Sequence, residues 1–330
     1  KKYFQLAIEN NQIDATYEYA IQLYEQNQKE KAANYCKVAA DNGHTDALYF
    51  YAMLLRKGEG VKSNPKESLH YYKIAAENGQ IEAMYDYALI LLDGDCGAEM
   101  NPKEAVRWFK IAALQNHGPS IYKYALMLFR GYGTDCDKRK AAIYFKKSAE
   151  NGDLLSIKRL SIMYDTGDGI PVDQEEAAKY YKMAADYGDV ESMYTYGMKC
   201  MKGEGVPVDY ESAAKYLKEA GNKGFIEAYL NYAQLLELGE GIKMDKKEAA
   251  SIYKMAADRG HVGAMFDYAN MLYNGENVEM NKREAARYYR MAADKGHNEA
   301  TIKYTNMLKN GDGVYINMVE YWKYSKMIKK

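Results

Sequence analysis

Four of the five histidines fall in one recurring slot. His44, His261 and His297 each directly follow a glycine, and His117 follows Asn116 in the same place; His70 stands elsewhere. General acid–base chemistry needs side chains that converge within hydrogen-bond reach. Side chains at one position of a repeat instead line up at the spacing of neighbouring elements, about 8–10 Å for helices. These histidines therefore read as turn residues and not as a catalytic cluster. Asp165, Asp168 and Asp173 hint at calcium, yet they miss the EF-hand spacing and its closing glutamate. The G-D-G-I-P-V-D string at Gly167 lacks the third glycine of a dinucleotide loop and does not follow a strand. Cys36, Cys96, Cys136 and Cys200 share no recurring spacing, so neither a metal site nor a disulfide ladder is expected, and reduced thiols are. No catalytic residue, metal or cofactor is expected.

What positions those residues is a repeat. The stretch E-A-A-S-I-Y-K-M-A-A-D-R-G, residues 248–260, returns as E-A-A-R-Y-Y-R-M-A-A-D-K-G and E-A-A-K-Y-Y-K-M-A-A-D-Y-G. Its closing glycines are Gly43, Gly79, Gly152, Gly188, Gly224, Gly260 and Gly296, the last five of them 36 residues apart. Asn116 fills one missing slot, and Asn11 opens the series. A fixed period in this range marks a solenoid, whose units pack on their neighbours in one array.

Nine units open at Ala15, Ala47, Ala83, Ser120, Ser156, Ser192, Ala228, Ala264 and Ala300. In each, a first helix (helix A) carries a core stripe led by a large residue four positions on, from Tyr19 and Tyr51 to Tyr268 and Tyr304. A glycine loop follows, with the C-cap glycines Gly58, Gly131, Gly167, Gly203 and Gly239. The second helix (helix B) opens on a capping box such as N-P-K-E at Asn64 and Asn101 or D-K-K-E at Asp245. Lys140 replaces the glutamate of one box, which predicts a weaker cap. The closing glycine of helix B predicts a left-handed turn, for which Asn is the natural substitute.

The boundaries expected from this register are a single continuous array over 1–330. Residues 1–11 form the second helix of a truncated repeat, 12–316 the array and 317–330 a divergent terminal capping helix. The late lysines Lys323, Lys326, Lys329 and Lys330 give that cap a polar character.

Composition narrows the function. Lys+Arg 45 against Asp+Glu 46 leaves a net charge of −1, which gives no support for a nucleic-acid stripe. No apolar run approaches the roughly 18 residues of a membrane span. A cytoplasmic location is expected, although the chain opens inside a repeat and reads as a piece of a longer protein.

With helix A, a glycine loop, a capped helix B and a 36-residue period, the chain resembles the Sel-one-like repeat (SLR) family. The resemblance covers the whole chain. It implies an all-α fold: an α/α solenoid of about nine helix–loop–helix repeats in a right-handed superhelix, related to tetratricopeptide repeats. It further implies an interaction scaffold or adaptor, of the kind found in signalling. The alternative is a regulatory arm of a larger kinase or ubiquitin-ligase assembly.

The expected binding surface is the concave face of helix A. Its first row holds Tyr49, Tyr85, Tyr122 and Tyr194. The second holds Met53, Leu89, Leu126 and Met198, then turns to amides at Gln234, Asn270 and Asn306. Arg56, Leu92 and Phe129 belong to a third row. Exposed aromatic and Met side chains favour partner anchoring, so a protein or peptide partner is expected there. The competing reading of the first row is packing on an adjacent hairpin. Tyr3, Phe4 and Leu6 offer a face for self-association.

Overall fold

Glycine and capped Asn or Asp punctuate the chain as the repeat demands. The computed structural model describes residues 12–328, all helix and turn with no strand among them. The expected truncated helix over residues 1–11, with the self-association face of Tyr3, Phe4 and Leu6, lies outside the described residues, as do Lys329 and Lys330.

Two compact units divide between Val172 and Asp173. The first holds α1 (Ile13–Glu25), α2 (Lys29–Asp41), α3 (Thr45–Lys57), α4 (Pro65–Glu77), α5 (Ile81–Asp93), α6 (Pro102–Leu114), α7 (Gly118–Arg130), α8 (Lys138–Glu150) and α9 (Leu154–Thr166). The second holds α10 (Gln174–Asp186), α11 (Val190–Lys202), α12 (Tyr210–Asn222), α13 (Ile226–Leu238), α14 (Lys246–Asp258), α15 (Val262–Asn274), α16 (Lys282–Asp294), α17 (Asn298–Asn310) and α18 (Met318–Ser325). Odd-numbered helices are A helices and even-numbered ones are B helices. Within each unit every helix packs on its chain neighbours, so each unit is an all-α repeat solenoid.

The caps explain the helix starts. Asn64 and Asn101 accept from the backbone N–H of Glu67 and Glu104 and donate back to their carboxylates. Asp137 still accepts from Lys140 N–H at 2.9 Å, so the cap keeps that bond and lacks the returning carboxylate. The closing positions are left-handed throughout, Gly260 at φ +96° and Asn116 at +63°. In the short first repeat Asn27 takes φ +60° where later repeats place a loop glycine.

Packing between repeats uses small residues and tyrosine. Ala249, Ala250, Ala256 and Ala257 of α14 are all buried, which brings the flanking helices close. Four B helices, α4, α12, α16 and α18, then send a tyrosine hydroxyl back to the aspartate ending an earlier B helix. Tyr71 reaches Asp41, Tyr216 reaches Asp186 and Tyr324 reaches Asp294, each at 2.6 Å. The same rings stand edge-on to the helix A core tyrosines, as for Tyr196–Tyr216 at 5.0 Å.

The loops do more than end a helix. The second glycine of each G-x-G lies against the start of the preceding B helix. A Cβ on Gly205 would overlap the Gln174 carbonyl, and one on Gly133 the Pro102 carbonyl. Beside this contact an acid of the loop meets the first lysine of that B helix: Lys29–Glu59 at 2.8 Å, Lys138–Asp168 at 2.5 Å and Lys282–Asp312 at 2.9 Å.

The last helix differs from the expected polar cap. α18 has 8 residues instead of 13, and Met318, Val319 and Trp322 are exposed beside its one lysine, Lys323. Nothing packs on that side among the described residues, so apolar groups face outward there.

Candidate functional site

Helix A opens on the recurring histidine slot. His44, His261 and His297 are N-caps whose Nδ1 accepts from the backbone N–H of Ala47, Ala264 and Ala300, at 3.2, 3.0 and 3.2 Å. His117 Nδ1 instead meets Ser120 Oγ at 2.8 Å. The slot builds helices, and each imidazole is used by the residues next to it in sequence. Gln80, Asp153 and Asp189 do the same work elsewhere.

In the first unit the first row of the expected face is largely mortised into the fold. Tyr49 donates to Asp86 at 3.0 Å and stands edge-on to Tyr72 of α4. Burial raises the pKa of both partners, and the Asp86 carboxylate raises the tyrosine further. Tyr85 packs between Phe109 of α6 and the His117 cap, and Tyr122 lies on Phe145 of α8. The second row is more open: Met53, Leu89 and Leu126 are half-buried, and Ile162 is exposed.

The third row is mixed. Arg56 pairs with Asp95 at 2.6 Å, and Leu92 is half-buried. Lys138 and Arg159 approach the Phe129 ring, each 5.1 Å from its centroid. This row therefore belongs in part to the loop clasp.

In the second unit Tyr194 lies against Phe225 at 4.9 Å, and Met198 is half-buried. The three amides do not behave alike. Asn270 accepts from the Tyr289 hydroxyl at 2.6 Å, which ties its oxygen to the B helix of its own hairpin. Gln234 is exposed. Asn306 is exposed too and lines a cleft with Tyr273, Lys303 and Asp312.

Sequence reasoning missed the clasp. Tyr273 donates to Asp312 at 2.5 Å and Lys282 stacks over the Tyr273 ring at 5.0 Å, while Tyr24, Lys29 and Glu59 repeat the arrangement. A recurring Lys–acid separation of 30 residues was the available signal.

Chemically the face can hold apolar and amide contacts. Among the described residues no group of three or more His, Cys, Asp or Glu side chains could hold a metal ion. All four cysteines are free. No described helix is long and apolar enough to cross a membrane.

The Sel1 repeat family model matches the chain in eight consecutive blocks, from 14–44 through 262–297. The chain belongs to the Sel1 repeat family. Each block runs from the start of an A helix to the cap of the next, which is the register of the histidine slot. Among solved structures, the protective antigen c5321 of uropathogenic Escherichia coli, described as displaying an SLR fold, is similar over 99% of this chain and 78% of its own, with TM-score 0.73 and 22% identity. A Sel1 repeat protein from Oxalobacter formigenes is similar over 89% and 85%, with TM-score 0.62 and 22% identity. These likenesses carry the fold. No curated protein matches the chain. Sel1 repeat proteins are generally protein-interaction scaffolds, built without a catalytic centre in the repeat.

Proposed function

We propose that this chain captures a protein segment on the open second row of its A helices. The observation that carries the reading is the run of partly exposed apolar side chains at one helix position, Met53, Leu89, Leu126 and Ile162. Their flanking first-row rings are fixed by Tyr72, Phe109 and Phe145, so an incoming side chain meets a pre-organised surface at little entropic cost. In the second unit Gln234 and Asn306 supply amide hydrogen bonds instead, and Asn270 supplies its remaining N–H donors.

Leu89 and Leu126 are the residues to test, because Tyr85 also holds the fold. The double variant L89D/L126D should keep its helical circular dichroism and lose most of the proteins that the parent retains from a native extract. Undiminished retention of every partner by the folded variant would end this reading.

A further inference from the structure

Successive B helices meet under a charge rule. Nine residues after its N-cap a B helix carries Lys or Arg, and the third residue of the next B helix is a glutamate at most seams, Ser212 of α12 being one departure. In the second unit Lys218 of α12 meets Glu248 of α14 at 3.4 Å, and Arg290 of α16 meets Glu320 of α18 at 3.7 Å. The core tyrosine of the intervening A helix joins each pair. Lys218 donates to the Tyr232 hydroxyl at 3.0 Å, and Tyr304 donates to Glu320 at 3.1 Å.

One seam inverts the rule. In α6 the cation is Lys110, and the third residue of α8 is Lys140. Both line one cleft, together with Lys103 and Arg107 of α6. None of these four cations has an ion-pair partner among the described residues. Val106, Tyr124 and Leu128 also line it, as do Asp135 and Asp137, the latter the cap of α8. α6 and α8 together carry eight Lys and Arg against Glu104 and Glu150, a net +6 inside a chain of net −1.

Lys140 is unfavourable where it sits. It places a cation at the positive end of a helix, gives up the capping box and shares the lining of one cleft with Lys110, of like charge. A broken local rule without compensation inside the fold is the mark of a functional position.

We propose that this cleft binds an acidic peptide segment of a partner protein. A partner carboxylate sits between Lys110 and Lys140, where the α12–α14 and α16–α18 seams carry their own glutamate. A neighbouring acidic side chain meets Arg107, whose fork suits a carboxylate. Nucleic acid fits less well, because the Tyr124 ring is buried and offers no face for a base.

The test uses the full chain and a fluorescein-labelled peptide of glutamates around a central leucine, read by anisotropy. The acidic peptide should bind, with affinity falling as salt rises. Lys140→Glu should weaken binding about tenfold or more, while its fold is kept because the seam pair and the capping box are restored. Lys243→Glu makes the same charge change on an exposed loop of the second unit and should alter binding less than about twofold. Arg107→Ala should weaken binding without touching the cap. Equal binding of the glutamine version of the peptide, or tighter binding of single-stranded DNA of equal length, would overturn the assignment. So would a Lys140→Glu variant that binds as the parent does, or a Lys243→Glu variant as damaged as Lys140→Glu.

Discussion

The Tyr288 hydroxyl donates to the Asp258 carboxylate at 2.6 Å, joining two B helices across 30 residues of chain. The bond recurs at Tyr71–Asp41, Tyr216–Asp186 and Tyr324–Asp294. Tyr288→Phe keeps the ring against Tyr268 and removes the hydroxyl alone. A hydrogen bond to a charged group contributes about 1.5–3 kcal/mol, so a loss of about 2 kcal/mol is expected in urea titration. The pKa of Tyr324 is pushed up to about 12, first by burial and then by its bond to Asp294. A raised tyrosine pKa means stability that is whole below about pH 10 and lost as pH climbs through the folded value. The parent should therefore lose stability as pH rises above about 10, and the Tyr288→Phe variant should show a shallower loss.

Two glycines separate conformational strain from collision. Gly260 is left-handed at φ +96°, with only Lys295 Nζ near a built Cβ, at 3.9 Å. Gly260→Ala should cost about 1–2 kcal/mol, the strain of that conformation. Gly205 is also left-handed, and its Cβ would overlap the Gln174 carbonyl. Gly205→Ala should lower the melting temperature clearly further than Gly260→Ala does.

Burial holds His117 below its usual pKa. A lowered histidine value gives stability that is whole above about pH 6.5 and lost as pH falls. The melting temperature should drop on acidification over that range. Gln80 already serves as the cap in this slot of α5, so His117→Gln should flatten part of the drop.

The four thiols should separate by accessibility. Cys136 is exposed, whereas Cys36, Cys96 and Cys200 are buried. Burial pushes the Cys36 thiol up to about 12, and thiolate is the reacting form. A disulfide-exchange reagent should release one equivalent quickly from the native protein, and Cys136→Ser should abolish that phase.

Local signals carried most of the fold. Asn64, Asn101 and Asp245 announced their helices because a cap bonds within three residues, and Gly260 announced its turn because φ is a property of one residue. The second loop glycine was illegible for the opposite reason. What Gly205 must avoid is Gln174, and no neighbour of Gly205 in sequence reports that contact. α18 was misread by counting lysines, when Val319 and Trp322 decide what its surface is. On the helix A face, residue type alone could not divide Tyr85, which is packed, from Leu89, which is open. Summed charge hid the α6–α8 seam altogether, since a net of −1 averages over a local excess of cations.

Identical seams have an evolutionary corollary. Because Gly188, Gly224, Gly260 and Gly296 recur at 36 residues and contacts run between chain neighbours, a duplication or excision of one whole repeat presents each new neighbour with a surface it already fits. Repeat number can then drift by recombination with little loss of foldability. The Lys110–Lys140 seam differs in sign: a copying event that moved it would carry its excess of cations along, so it travels as a heritable address within the series.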